Sequence, residues 1–413
     1  MRKKLTALIM SACLIASLVP TTIFAQTSSK QKPDLTISST RELIQFANNV
    51  SNGNTYEGKL IKLTKDIKFD GVTVNNFETI GSGSWRGFSG TFDGGGYTIS
   101  GIDQSGSTYG GLFRIINRDG IVKNVTLENS SIVSVSDGGG IAYENDGTIE
   151  NCHNKADIDG DSSVGGIVHR NSSYGTIVNC SNSGSITSDS NSVGGVAGSN
   201  LGIISNSYNT GNIKNSRSSI RIGGVAGSNM GTIQSCYNTG VITITKGYAI
   251  SESYGGIAGE VSGVIANSFC SEESAPLNIG VLHSDAVDKN NKALPESEMK
   301  KASFVTMLNK NRGSNTSWSK WELTSSSEYP KLATKYEVTF KSSKLGYTKT
   351  NRSYAYAGQT VTLTAVPNKN YKTSTVVVKT AAGKKVTVKK VNGKYQFKMP
   401  KGKVVVTTTF KKK

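Results

Sequence analysis

Histidine, proline and cysteine are scarce in this chain of 413 residues, at three, seven and five copies. The three histidines (His153, His169, His283) form no HxH or HxxxH pair and none precedes a glutamate, which excludes the helical zinc-peptidase motif. Beyond the N-terminus no run reaches the ~18 apolar residues that a spanning helix needs. No GxSxG, GK[ST] or GxGxxG motif occurs, so the usual nucleophile-elbow and phosphate-cradle chemistries are excluded as well. Charged residues make up only 18% of the chain and hydrophobic ones 36%. What fills the space is glycine, 46 copies, among abundant Ser, Asn and Thr, a mix that suits a β-rich chain crowded with turns.

The N-terminus is the exception to this polarity. Met1-Arg2-Lys3-Lys4, the apolar run from Leu5 to Val19 and the small exit at Ala25 read as a secretory signal over residues 1–25, with the mature chain starting at Gln26. Met10-Ser11-Ala12-Cys13 is a poorer lipoprotein box, because the residues after Cys13 stay apolar. Leu294-Pro295-Glu296-Ser297 is internal and lacks the apolar tail of a wall-sorting signal. The expectation is a secreted protein held at a cell surface non-covalently, with no transmembrane segment.

Glycine pairs recur at Gly110-Gly111, Gly139-Gly140, Gly165-Gly166, Gly194-Gly195, Gly223-Gly224 and Gly255-Gly256, in steps of 26 to 32 residues. After each pair come an apolar step, a turn glycine and a second strand, as in Gly175-Thr176-Ile177-Val178-Asn179-Cys180. A third apolar position (Ile158, Ile186, Ile213, Ile242) closes each unit. A fixed period of about 28 residues marks a solenoid, and three short β runs per unit with β-branched apolar sites predict an all-β, parallel, right-handed β-helix. The column Asn124, Asn151, Asn179, Asn206, Ser235, Asn267 reads as a ladder at a bend, since Asn tolerates positive φ and its amide can reach the next coil. The next column, Val125, Cys152, Cys180, Ser207, Cys236, Ser268, reads as an inward stack of small side chains, so buried inert thiols are expected rather than a disulfide framework.

Tyr109-Gly110-Gly111-Leu112-Phe113, Val193-Gly194-Gly195-Val196-Ala197-Gly198 and Ile222-Gly223-Gly224-Val225-Ala226-Gly227 closely resemble the GLUG repeat of secreted bacterial proteins, with a matching lead-in from Phe88 to Ser100. The resemblance covers roughly residues 56 to 272, and the solenoid is expected over residues 56–284. It implies little about activity, because such repeats occur in adhesin-like surface proteins and beside the catalytic parts of some immunoglobulin A proteases. Ser39-Thr40-Arg41-Glu42 is a capping box opening an amphipathic helix, so residues 26–55 are expected to cover the open N-terminal coil. Residues 285–330, with Met299, Phe304, Leu308, Trp318, Trp321 and Tyr329, are expected to cover the other end.

From Lys331 onward the composition changes: 20 Lys and Arg, 19 of them Lys, face a single acid, Glu337, a net charge of +19. Alternating apolar and Lys/Thr residues predict a small antiparallel β domain over 331–413 with one Lys-rich face. Gly358-Gln359-Thr360 through Pro367 and Phe397-Lys398-Met399-Pro400 through Val406 resemble the internalin-type B-repeats of Gram-positive surface proteins. Here Lys401 replaces the acid that usually follows the Met-Pro turn.

Three candidate sites follow. The densest basic stretch, Lys384, Lys385, Lys389, Lys390, Lys394, Lys398, Lys401 and Lys403, is a candidate polyanion site for a wall polymer or host glycan. Lysine with almost no Arg argues against specific reading of nucleic acid. Tyr208, Tyr237 and Phe269 share a column expected to face outward as a glycan or partner stripe. Asp157, Asp159 and Asp161 form a candidate hard-cation (Ca²⁺) site, although Val168 stands where an EF-type loop supplies Glu; solvated loop charge is the alternative. No constellation of nucleophile, base and orienting group can be assembled, so a non-enzymatic surface binding protein without cofactor is expected. A carbohydrate-active β-helix enzyme with a basic tether is the alternative reading.

Overall fold

The computed structural model describes residues 32–69, 77–81, 87–189, 192–216, 221–245 and 254–413; the expected signal, 1–25, lies outside them. The described residues form two compact units, Lys32–Ala333 and Thr334–Lys413.

The first unit is a parallel β-solenoid. Among the described residues the coils from Ala142 to Gly255 each contribute five short strands rather than the expected three, for instance Ala142–Asn145, Thr148–Glu150, His153–Asn154, Asp157–Gly160 and Ser163–Gly165. The extra strands arise because bends at Asn, at Gly and at polar turns break what the apolar pattern shows as continuous runs. Strands pair in register with the coils above and below, as in Ile149↔Ile177 and Ile177↔Ile204. The stacks reach ten, nine and seven strands, and in a fourth the longer strand Ser131–Gly139 bridges two faces. Columns such as Ile158, Ile186 and Ile213 are almost fully buried, each side chain contributing about 2–3 kcal/mol of burial.

Asparagine serves this stack in two ways. At the predicted bend, Asn124, Asn151, Asn179, Asn206, Ser235 and Asn267 all hold φ between 48° and 57°, a left-handed conformation that costs Asn less than most residues. Within that column Asn151 Nδ2 donates to Asn124 Oδ1 at 2.9 Å and Asn206 Nδ2 to Asn179 Oδ1 at 2.7 Å. Two further ladders, not read from the sequence, are fully buried: Asn145–Asn171–Asn200–Asn229 and Asn154–Asn182–Asn209–Asn238. Amide-to-amide bonds of 2.7–2.8 Å link successive members of both. The column Val125, Cys152, Cys180, Ser207, Cys236, Ser268 points inward as expected, with every member fully buried and the cysteines unpaired.

The N-terminal end is closed by the helix Thr40–Ser51, which buries Leu43, Phe46, Ala47 and Val50. Phe46 packs edge-on against Phe88 and stacks near Phe92, each centroid at 5.8 Å. Ser39 is the N-cap, its Oγ accepting from the Glu42 N–H at 3.3 Å. Glu42 returns the contact one residue earlier than a strict box, accepting from the Ser38 backbone N–H (2.6 Å) and hydroxyl (2.9 Å), which lowers its pKa.

The C-terminal segment departs from expectation. Coil strands continue to Lys292–Leu294, and the following residues do not close the end of the stack. Instead the helices Glu296–Met299 and Ala302–Arg312 and the hairpin Trp321–Glu322/Lys331–Leu332 lie along one side of the solenoid. There Met299, Phe304, Leu308, Trp321 and Leu332 form a core with Tyr237 and Phe269. Leu277, Leu282 and Val287 of the last coil stay exposed.

The second unit stacks a five-stranded on a four-stranded sheet around Val338, Val361, Leu363, Val378, Phe397, Val404 and Val406. Its pairs are antiparallel except one: its first strand, Lys335–Phe340, lies parallel to its last, Val404–Lys412. The stretch from Lys385 to Val391 is split into Lys385–Val386 and Lys389–Val391, which belong to different sheets.

Asn182→Ala removes a ladder member bonded to Asn154, Asn209 and the Gly184 carbonyl, leaving buried partners unmet. A loss of about 2–4 kcal/mol in denaturant unfolding is expected. Burial, reinforced by Lys155, pushes His153 down from 6.5 to about 4, so the folded state keeps it neutral while the unfolded chain takes up a proton. Its contribution is present above pH 6.5 and is lost as pH falls toward about 4. Unfolding midpoints measured across that window should fall for the native chain and flatten for His153→Gln.

Candidate functional site

The Gly-Gly pairs sit where a coil turns sharply back. A Cβ on Gly165 would lie 1.9 Å from the Val168 carbonyl oxygen, so only glycine permits the turn. Side chains just before the pair and just after it therefore meet across a re-entrant corner. In the first coils this corner holds a cluster that the sequence reading missed. The Arg114 guanidinium lies 4.0 Å over the Tyr109 ring, Tyr109 meets Tyr143 at 4.7 Å, and Tyr143 stacks on His169 at 4.8 Å with an 11° tilt.

Polar bonds hold the cluster in place. His169 Nδ1 lies 3.1 Å from the Ser163 carbonyl and 3.7 Å from Asp137, whose Oδ1 accepts from the Ser163 N–H at 2.8 Å. The buried Gln104 amide brackets Gly111, donating to its carbonyl at 2.9 Å and accepting from its N–H at 2.8 Å. Beside Tyr109 and Arg114 opens a recess of about 530 Å³ lined also by Phe77, Glu78, Asp103, Ser107 and Thr108.

The local electrostatics favour neutral forms. Burial raises Tyr143, helped by Asp137 and Glu144, and burial lowers His169 against the pull of Asp137. Burial also raises Glu144, although Arg170 stands 3.2 Å away. Ring edges, hydroxyls, carboxylates and one guanidinium around a recess of this size suit a polyhydroxylated ligand. In later coils the positions of Tyr143 and His169 are taken by Gly198, Gly227 and Gly259, and the cluster ends. That change of residue type beside otherwise constant glycine pairs is the signal that marks the corner in the sequence.

The structure treats the three predicted sites differently. The column Tyr208, Tyr237, Phe269 does lie on the outer face of the coils, yet it is not a free stripe. Tyr237 and Phe269 are buried and Tyr208 is half-buried beneath residues 294–332. Tyr208 and Tyr237 stack at 5.0 Å, Phe269 meets Phe304 at 5.4 Å, and Tyr237 Oη donates to the Pro330 carbonyl. Trp321 Nε1 bonds Asn206 Oδ1 at 2.8 Å, tying the covering segment to the bend ladder. The cover comes from residues distant in sequence, which periodicity within a coil cannot reveal.

Asp157 and Asp159 alternate outward on their strand, as expected. They do not converge with Asp161 on a cation position, and among the described residues no group of three or more His, Cys, Asp or Glu could hold a metal ion. Asp157 is engaged with the Ser185 N–H at 2.9 Å, and Asp159 is raised by desolvation and the like charges of Asp161 and Asp189. Cys236 and Cys270, expected as buried inert thiols, are pushed up to about 12 by burial.

Of the eight lysines, Lys384, Lys385, Lys389, Lys390, Lys394, Lys398 and Lys401 are exposed and Lys403 is half-buried. They do not share one face. Lys385 lies at the edge of the five-stranded sheet, whereas Lys389, Lys390, Lys394 and Lys398 belong to a hairpin at the edge of the four-stranded one.

Comparison with known proteins agrees with this architecture. Residues 189–214 match the GLUG motif and residues 336–413 the divergent InlB B-repeat domain. Halomucin of Haloquadratum walsbyi is 34% identical over 131 residues, 30% of this chain; the chain spans about 1% of that protein's length. The crystal structure of a candidate immunoglobulin A1 protease from Bacteroides ovatus superposes with a TM-score of 0.56, covering 74% of this chain and 93% of that one at 19% identity, a likeness of fold. Parallel coils turning on glycine pairs, followed by a basic two-sheet unit, are thus a β-solenoid that carries a GLUG motif at residues 189–214 and a module similar to the divergent InlB B-repeat domain at residues 336–413.

Proposed function

We propose that this is a secreted, surface-associated binding protein: the solenoid presents a rigid surface, and the basic module attaches it to anionic polymers of a wall or host glycan. One observation carries the reading, the segregation of charge. Residues 331–413 hold 20 cations against one acid, while residues 26–330 hold 24 cations against 28 acids. A net +19 on so small a unit creates a potential that attracts polyanions. The expected signal at 1–25 supports export, and the corner at Tyr109 and Arg114 opens on a recess suited to a polyhydroxylated ligand on the solenoid itself. The same recess, with Glu78 and Asp103 on its wall, favours a carbohydrate-active enzyme as the second reading.

Retention on poly(glycerol phosphate)-coated and heparin-coated surfaces separates these. The chain from Gln26 to Lys413 should be held at low salt and lose ~10³-fold in affinity by moderate salt, by analogy with duplex binding. A chain ending at Ala333 should pass through. Equal retention of both would overturn the reading, and oligosaccharide cleavage abolished by Glu78→Gln would favour the enzyme.

A further inference from the structure

The strand register of the basic module sets lysines directly against each other. On the five-stranded sheet, Tyr371–Thr380 runs antiparallel to Val404–Lys412 on one side and to Lys385–Val386 on the other. Lys372 stands opposite Lys411, and Lys379 opposite Lys385; all four are exposed. Val378, paired with both Val406 and Val386, faces the core, so the neighbouring Lys379 and Lys385 point to the outer face. Lys411 lies there too, because Phe410 and Thr408 are buried inward. Like charges directly opposite in an antiparallel pair destabilise the sheet. Here the repulsion is present twice.

Between the two pairs the outer face of these strands carries Thr375 and Thr409, whose Oγ1 atoms bond at 2.7 Å, and Thr407 opposite the apolar Val377. The module's one acid, Glu337, belongs to Lys335–Phe340, on the far side of Val404–Lys412. Lys372 and Lys379 are seven positions apart on one strand, so the pairs are separated by roughly 20 Å. Lys372, Lys379 and Lys411 stand on strands that are paired on both sides over a buried core, with Lys385 on the edge strand beside them, whereas Lys389 and Lys390 of the Lys389–Lys398 hairpin lie on the edge strand of the other sheet. A rigid strip holds cations at fixed spacing, which an edge hairpin does less well.

We propose that this strip is the polymer-binding site of the module, and that its ligand is an extended chain bearing sulfate or phosphate esters, long enough to reach both lysine pairs at once. The inference rests on the polyanion reading given above and names its site and minimum ligand length. Each end of the ligand relieves one Lys–Lys repulsion, while the Thr hydroxyls between donate to ester or sugar oxygens. A free anion can relieve only one end. A chain that spans the strip gains from both because its second contact is intramolecular.

The test compares two charge-matched variants of the full chain: Lys372→Thr/Lys379→Thr/Lys385→Thr/Lys411→Thr, and Lys389→Thr/Lys390→Thr/Lys394→Thr/Lys398→Thr. Each is titrated with heparin oligosaccharides of graded length, poly(glycerol phosphate), inorganic sulfate and a charge-matched single-stranded DNA. The strip variant should lose roughly 100-fold in affinity for long chains and about 3 in salt slope, with the hairpin variant losing less than about tenfold. Without ligand the strip variant should melt higher than the native chain, since its repulsion is gone. The native chain should show a step in affinity once oligosaccharides reach roughly 20 Å.

Equal losses in the two variants would overturn the inference but leave the polyanion reading standing. Long-chain binding undiminished in both would overturn the reading itself. Should the strip variant fail to fold, the native chain decides: affinity rising smoothly with charge, or inorganic sulfate competing as well as the chain, overturns the proposal. Tighter binding of the DNA would overturn the ligand class, and sulfated and phosphorylated chains differing from each other would identify the source.

Discussion

The solenoid depends on a steric pairing between glycine and asparagine across the interior of each coil. A Cβ on Gly140 would lie 2.5 Å from Asn154 Cγ, one on Gly166 2.4 Å from Asn182 Cγ, and one on Gly195 2.4 Å from Asn209 Cγ. The second glycine of each pair therefore leaves the space that the buried amide of its own coil fills. Once there, the amide has no water to bond and must find its partner in the next coil, where the same glycine has left the same space. Buried amides at successive coils thereby impose vertical register, because a slipped coil would strand a ladder of polar groups in the core. At Gly256 the facing side chain is Cys270, and the ladder stops there.

With the interior set by this pairing, the outer faces are free to differ from coil to coil, and the differences decide where contacts form. One outer column carries Tyr208, Tyr237 and Phe269 and receives the C-terminal segment of the unit, which adds Trp321 and Phe304 to make a second core. The corner beside the glycine pairs carries Tyr109, Tyr143 and His169 in three neighbouring coils and closes to glycine afterwards. The first column is therefore structural, and the second ends beside the recess that Tyr109 and Arg114 line.

Charge is partitioned along the same lines. The solenoid manages its acids locally, by pairs such as Arg170–Glu144 at 3.2 Å and Lys155–Glu128 at 2.8 Å, both partly exposed and worth little to stability. The basic module has one acid and cannot neutralise itself. Its own buried cluster around Val338, Leu363 and Val404 supports the sheets that hold the lysines, so charge density there is sustained by apolar burial.

Periodicity made the solenoid legible from the chain alone: the glycine pairs, the Ile columns, the inward Cys column and the left-handed Asn bend each follow from a local requirement repeated at a fixed step. The capping helix was legible for the same reason, since Ser39 and the apolar spacing of Leu43, Phe46 and Val50 lie within one element. What the chain could not disclose depends on residues that meet from a distance. The exposure of Tyr237 was decided by Pro330 and Trp321, the corner cluster by a turn that brings Tyr109 against Arg114, and the grouping of lysines by strand register. Density in sequence pointed to the run from Lys384 to Lys403, yet the split of that run between two sheets sets Lys385 against Lys379 and leaves Lys389 elsewhere. Local patterns are written by φ preference and by alternation of apolar residues, which act between near neighbours. Cover, corner and charge geometry are set by packing between distant segments, and no repeat along the chain encodes them.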